Sequence, residues 1–460
     1  MIVGDGFLAA AAAAPDTIVV ECDGAAFRAH RFAAMVAAAR DVLGGDRRVA
    51  IVMRNSASAL AAFLGAVQGG ATAMVLDPAW PESLRDRLLA RHAPEIAVDG
   101  ALPQAPATPI RPRPGAPLLM GFTSGTTGTP KAFVRSHASW IATFAAARAV
   151  FGGLAQSRVL APGPLAHSLT LYAAVETLEA GGAILLQTRF DAAICAVRLA
   201  ADADAMIGVP AMFDLLVRAT PTPVRRPVTL VSAGAKLLPA LRTRLEAAYP
   251  AARLYEYYGA SELSFVSASV PDDGAPPESV GRAFPGVDLA VRRDDGAVAA
   301  VGEIGTLWVR SAMVSDGYVG DTDGTGFRTD GGESPWATVG DRGHVDADGF
   351  LFLAGRENDM LISGGYNVYP AEIEAVLAAV PGVRAVAVVG VADARWGHRI
   401  VAVVAGDVRR TALETACAAA LPPYKAPRDW RHAPMLPRTA SGKIARAEVE
   451  AMLPSLEALP

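Results

Sequence analysis

Cysteine is scarce in this sequence: 3 among 460 residues, Cys22, Cys195 and Cys417, odd in number and far apart. That spacing offers neither a disulfide framework nor a paired-thiolate metal site, so each thiol reads as a small buried hydrophobe in a reducing compartment. Charge of one sign is missing too. With 42 Lys+Arg against 46 Asp+Glu the net charge is −4, which gives no broad basic field for a nucleic-acid backbone or an anionic membrane. Charged residues make up 19% and aromatics 7%, without the interleaved basic and aromatic runs of a single-strand channel. Long apolar runs are absent as well. The stretch FLAAAAAA at 7–14 is too short to span a bilayer, and its flank MIVGDG lacks the positive charge of a secretory leader. A cytoplasmic protein is expected, with a soluble helix over 7–14, no nucleic-acid partner and no membrane span.

What is abundant is apolar residues, at 52%, together with 44 glycines and 33 prolines. Such a chain buries a large core and connects its elements through many loops. Helical spacing over 33–43 and 56–68 alternates with buried-strand runs at 48–53 and 71–76, the latter closed by the turn DPAWP. Further runs at 183–186, 205–209 and 228–231 continue that rhythm. Strands alternating with helices predict an α/β fold with parallel, doubly wound sheets. Six prolines between 102 and 117 mark a surface connector. From 280 to 355 short alternating runs with Gly and Asp turns predict antiparallel strands forming a small β-barrel. Beyond it, helix 371–379, strands 384–391 and 400–405 and helix 411–420 predict a small α+β domain, with the boundary near Arg356–Asp359. The division expected is 1–355 and 356–460.

The sharpest local signal is LLMGFTSGTTGTPK at 118–131. Gly125 and Gly128 let backbone approach a phosphate, the hydroxyls of Thr123, Ser124, Thr126 and Thr127 donate hydrogen bonds, and Lys131 adds positive charge. Walker A spacing is excluded, because Thr129 and Pro130 separate Gly128 from Lys131.

This string resembles the nucleotide-binding signature of the adenylate-forming superfamily, which includes acyl-CoA synthetases, peptide-synthetase adenylation domains and luciferases. Four more segments resemble that superfamily's motifs in order: YGASE at 258–262, GDRG at 340–343, GRENDMLISGGYNVYPAEIE at 355–374 and PRTASGK at 437–443. The resemblance is strongest to acyl-CoA synthetases. It implies that a carboxylate attacks the α-phosphate of ATP to give acyl-AMP and pyrophosphate, after which a thiol takes the acyl group and AMP leaves.

By position, the resemblance implies that Ser124, Gly125, Thr126, Thr127, Gly128 and Lys131, with Thr123, hold the phosphates, and that Glu262 coordinates Mg²⁺. It places Gly234, Ala235, Tyr257, Tyr258, Gly259 and Ser261 around the nucleotide, with Asp341 and Arg356 on the ribose. Lys443 is the implied catalytic lysine of the adenylation step, and Asn358 stands at the hinge where the superfamily commonly has Asp or Lys. Gly364 and Gly365 would let the arm of CoA pass, with Trp396 stacked on its adenine. His167, Ser232, Ala233 and Ala260 would line the acyl pocket. Where amino-acid-activating relatives carry an aspartate for the substrate ammonium, this chain has His167 and Ser168, so α-amino acids are disfavoured.

The expectation is therefore a carboxylate–CoA ligase, with a fatty acid as substrate, using ATP, Mg²⁺ and CoA, as a monomer or weak homodimer. Its rivals are an acyl-AMP ligase that loads an acyl carrier protein, an aryl-CoA ligase, and a non-catalytic nucleotide binder.

Overall fold

The computed structural model describes residues 1–123, 130–320, 326–332, 334–363, 366–393, 395–439 and 443–459, with the side chains of Asn358 and Asn367 outside that set. A large α/β N-terminal domain carries a nine-stranded and two six-stranded sheets, and a small C-terminal domain carries a further six-stranded sheet. In the nine-stranded sheet, Arg253–Ala260, Thr229–Ala233, Ala205–Gly208, Arg158–Leu160, Ala183–Leu186 and Ile18–Cys22 run parallel. Their apolar runs are continuous because helices cover both faces of such a sheet. The second sheet joins Ile96–Val98, Arg48–Val52, Thr72–Leu76 and Pro117–Thr123 in parallel, then turns back through the antiparallel strand Lys131–Ser136.

The predicted elements agree with these to within a few residues; helix 33–43 begins earlier, as Ala29–Leu43. Among the described residues, the strands expected as a small barrel over 280–355 fall mostly in one six-stranded sheet. These strands form an open path in which Asp288–Arg292 pairs off to the side, and no pairing joins its ends among the described residues. Two of its strands, Arg328–Thr329 and Ala337–Thr338, are two residues long, too short to carry a closed ring of hydrogen bonds.

The C-terminal sheet is built around the hairpin Val383–Asp393 and Gly397–Gly406. Its period-two pattern sends Val388, Ala402 and Val404 to a core with Ile373, Leu377 and Trp430. Val389, Val401 and Val403 face the opposite core with Leu436 and Val449. Cys22, Cys195 and Cys417 are all buried and free. No helix among the described residues is long and apolar enough to cross a membrane.

The helix Ser168–Glu179 carries two buried carboxyls. Burial pushes Glu176 up to about 8, and burial pushes Glu179 up to about 7 against the N–H groups of Gly4 and Gly6. Both are raised above their unfolded values, so their contribution to stability is complete at acid pH and is lost as pH rises through the folded values. Thermal denaturation should therefore show a melting temperature that falls from pH 5 to pH 8. Glu176→Gln, which keeps the shape and cannot ionise, should flatten that fall and exceed the wild type above pH 8.

Candidate active site

Ligands of an open α/β sheet bind beyond the carboxyl ends of its parallel strands, and the chemistry-bearing residues collect there. Thr229–Ala233 ends at Gly234, whose φ of +83° suits glycine, and Gly234 and Ala235 are both exposed. Arg253–Ala260 delivers Tyr258 and leads directly into Ser261 and Glu262. Pro117–Thr123 ends at Thr123, which stands opposite Lys131 in the antiparallel register. The segment between them, with Ser124, Gly125, Thr126, Thr127 and Gly128, lies outside the described residues, as do Gly364 and Gly365.

Register also explains the most compact charged pair. In the hairpin Asp341–Val345 with Leu351–Arg356, Asp341 faces Arg356, and the guanidinium Nε lies 2.8 Å from Asp341 Oδ1. Tyr258 donates its hydroxyl to the other carboxylate oxygen. Burial and the neighbouring Asp341 hold the Tyr258 hydroxyl well above the usual tyrosine value, so it stays a donor. The Asp341 charge raises Arg356 further, locking it cationic.

A tyrosine absent from the sequence-based site links the other members. Tyr318 donates to Glu262 Oε1 at 2.5 Å and lies 3.5 Å from Thr123 Oγ1, and the Lys131 ammonium sits 5.5 Å from the centre of its ring. Its dipeptide Gly317–Tyr318 is too common to stand out in a sequence. The structure selects it because it pairs antiparallel with Phe133 and Val134, next to Lys131. Glu262 is buried, with one oxygen taken by Tyr318. A lone carboxylate of this kind fits Mg²⁺, which keeps waters and phosphate oxygens as its other ligands. Tyr318→Phe keeps the ring under Lys131 and frees Glu262. It should raise the KM for MgATP about tenfold, the size of one hydrogen bond to a charged group, with little change in melting temperature.

Lys443 arrives from the C-terminal domain. Its loop is pinned by a bridge between Arg438 and Ile444 and by Thr439 N–H donating to the Lys443 carbonyl at 2.7 Å. The residue keeps solvent contact, but its ammonium lies within the field of Arg356, Asp341, Glu262 and Asp359. Desolvation and the Arg356 charge lower its pKa below the ordinary lysine value, against the pull of the three carboxylates. The three-ten turn Glu357–Asp359 contains Asn358 and follows the strand that ends at Arg356. Glu357 N–H donates to Gly340 O at 2.8 Å, and its carboxylate holds Arg328 at 2.7 Å.

Other expected residues are placed differently. Tyr257 is set apart from Tyr258. Adjacent strand residues face opposite sides, and its ring lies 4.8 Å from Phe265 in an aromatic cluster instead. His167 donates through Nε2 to Asp77 Oδ2 at 3.0 Å and flanks the start of the helix that begins at Ser168. Burial would raise Asp77, but the bonds from His167 and from Ala79 N–H prevail and keep it low. Ser232 and Ala233 are buried, and the Ser232 hydroxyl has no hydrogen bond. Gly259 has no room for a Cβ, which would lie 2.2 Å from Ser264 O, and Ala260 stands opposite Ser264. Trp396 is stacked 3.9 Å from the Arg428 guanidinium and 4.8 Å from that of Arg395.

The strand pair ending at Thr123 and Lys131, the buried Glu262 and a lysine from the C-terminal domain lie in one neighbourhood. Family models described as AMP-binding enzyme and AMP-binding enzyme C-terminal domain match residues 84–319 and 372–443. The chain belongs to the AMP-binding enzyme family. It is 39% identical over 433 residues to an uncharacterized acyl–CoA ligase, YhfT, of Bacillus subtilis, covering 88% of each chain. It is 34% identical to a putative long chain fatty acid-CoA ligase, VraA, of Staphylococcus epidermidis, over 72% of this chain and 71% of that one. In fold it is similar to ATP-bound MatB from Rhodopseudomonas palustris, with a TM-score of 0.86 at 24% identity over 98% and 99% of the two chains. Within the family this enzyme is an AMP-forming acid–thiol ligase.

Proposed function

We propose that the protein is a carboxylate–CoA ligase that works in two half-reactions at this one centre, with a boundary between its domains at Arg356. The observation that carries the reading is the Lys443 ammonium within the field of Glu262, Asp341 and Arg356. In the first half-reaction a carboxylate oxygen attacks the α-phosphorus of ATP, and pyrophosphate leaves with the broken P–O bond's electron pair. The anionic nucleophile and the anionic phosphate repel each other, so fixed positive charge at the point of attack is the main requirement. Lys443 supplies that charge, with Lys131, Thr123 and the residues 124–128 on the departing pyrophosphate. Asp341 and Arg356 grip the ribose, and Tyr258 lies beside them. Glu262, held by Tyr318, would carry Mg²⁺, which supplies charge neutralisation on the phosphates when bound.

In the second half-reaction the CoA sulfur attacks the acyl carbon, AMP leaves, and the thiol proton passes to solvent. Lys443 is not needed there, and a turn at Asn358 would swing it away while Gly364, Gly365 and Trp396 approach the thiol's path. His167, Ser232, Ala233 and Ala260 bound the acyl group. The test is incubation with ATP, Mg²⁺ and a pool of aliphatic and aromatic acids, read by mass spectrometry with and without CoA. Acyl-CoA together with AMP supports the reading. Pyrophosphate release with adenylates that CoA leaves untouched would overturn CoA as acceptor and point to a carrier-protein thiol.

A further inference from the structure

We propose that the acyl site of this enzyme ends in an aromatic wall and admits only compact acids, short aliphatic chains or a single ring. The proposal rests on the carboxylate site assigned above. Its starting point is the contact between Ser168 Oγ and Ser261 Oγ at 3.0 Å, which fixes the first turn of helix Ser168–Glu179 beside Ala260 and Glu262. Tyr172 lies one turn further along the same face of that helix. Its ring meets Phe265 edge-on at 5.4 Å, and it also contacts Trp140 at 5.8 Å and Phe144 at 5.7 Å. Phe265 stands opposite Gly259 in the hairpin register, so the ring rises directly behind the small residues that bound the acyl group.

From there the wall is continuous. Phe265 meets Tyr257 at 4.8 Å and stacks on Phe284 at 4.5 Å. These are contact separations for packed aromatic rings, with no passage between them for an alkyl chain. A chain long enough to push the rings aside would meet polar atoms. The Tyr172 hydroxyl and the Glu176 carboxyl are buried beside each other on the same helix. A methylene chain set against this buried polar pair would offer it no hydrogen bond, which makes forced entry costly on top of the steric strain. The small Ala260 side chain therefore leaves width near the carboxylate, and Tyr172 and Phe265 limit depth.

The experiment measures pyrophosphate release from ATP and Mg²⁺ with butyrate, hexanoate, benzoate, laurate and palmitate. The wild type should favour its best short or single-ring acid over palmitate by about a hundredfold or more in kcat/KM, the discrimination a closed pocket achieves over a few methylenes. Tyr172→Ala should raise kcat/KM for laurate about tenfold while lowering it for hexanoate. Should that variant not fold, the wild type alone decides: acyl-sulfamoyl adenosines of rising chain length, titrated by calorimetry, should bind tightly as the butanoyl compound and lose affinity as the hexadecanoyl compound. Turnover of palmitate equal to hexanoate, or tight hexadecanoyl binding, overturns the wall and leaves the ligase reading intact. Absence of pyrophosphate release with every acid, from protein that still binds ATP, overturns both.

Discussion

Lys443→Ala is expected to slow pyrophosphate release by roughly 10²–10³-fold or more, the usual cost of removing one preorganised charge from a transition state. The loss should fall on kcat more than on KM for either substrate, because the charge is used where bond-making brings carboxylate and phosphate together. Acyl transfer from a chemically prepared adenylate to CoA should stay within a few-fold of the wild type. Equal loss in both half-reactions would remove the assigned role. The surroundings of Lys443 add a pH signature. Its ammonium is the active form, and desolvation with the Arg356 charge makes it lose its proton below the ordinary lysine pH. Adenylation should therefore decline on the alkaline side earlier than an unperturbed lysine would allow, while thiol transfer from preformed adenylate shows no matching limb.

Much of the fold was legible because its signals are local. Unbroken apolar runs such as those at 183–186 and 205–208 mark strands covered on both faces, and helical spacing between them marks the crossovers. The site was legible where a motif spells its own geometry. Asp341 and Arg356 were named separately and meet because a hairpin register sets them opposite each other. Non-local partners were not legible. Asp77 reaches His167 across 90 residues of sequence, and Tyr318 reaches Glu262 across 56. Nothing in the flanking residues of either announces its partner. The separation of Tyr257 from Tyr258 was contained in the sequence: neighbours on a strand face opposite sides, so the two rings point apart. Whether the strands over 280–355 close was not legible, because alternation predicts strands and says nothing of closure.

Asp341→Asn carries the second large effect, through two consequences that separate catalysis from stability. The carboxylate takes the Tyr258 hydroxyl on one oxygen and Arg356 Nε on the other. An amide can accept on one side only, so one donor is turned away and the guanidinium loses its counter-charge. Arg356 keeps 51% of its side chain exposed, so water screens the loss and the stability cost should be about 1 kcal/mol or less. Activity has no such relief. On the proposed reading both residues hold the ribose, so their displacement should lower kcat/KM for ATP by roughly a hundredfold. The second consequence reaches Lys443. Asp341 is one of the carboxylates that favour its ammonium, whereas Arg356 opposes it. Removing the anion and leaving the cation lowers the lysine further, so the alkaline limb of the residual adenylation should move to lower pH than in the wild type. Asp341→Ala, measured alongside, should reproduce the shift because it too removes the charge. A hundredfold loss with an unmoved limb would mean that Asp341 grips the nucleotide without acting on Lys443 electrostatically.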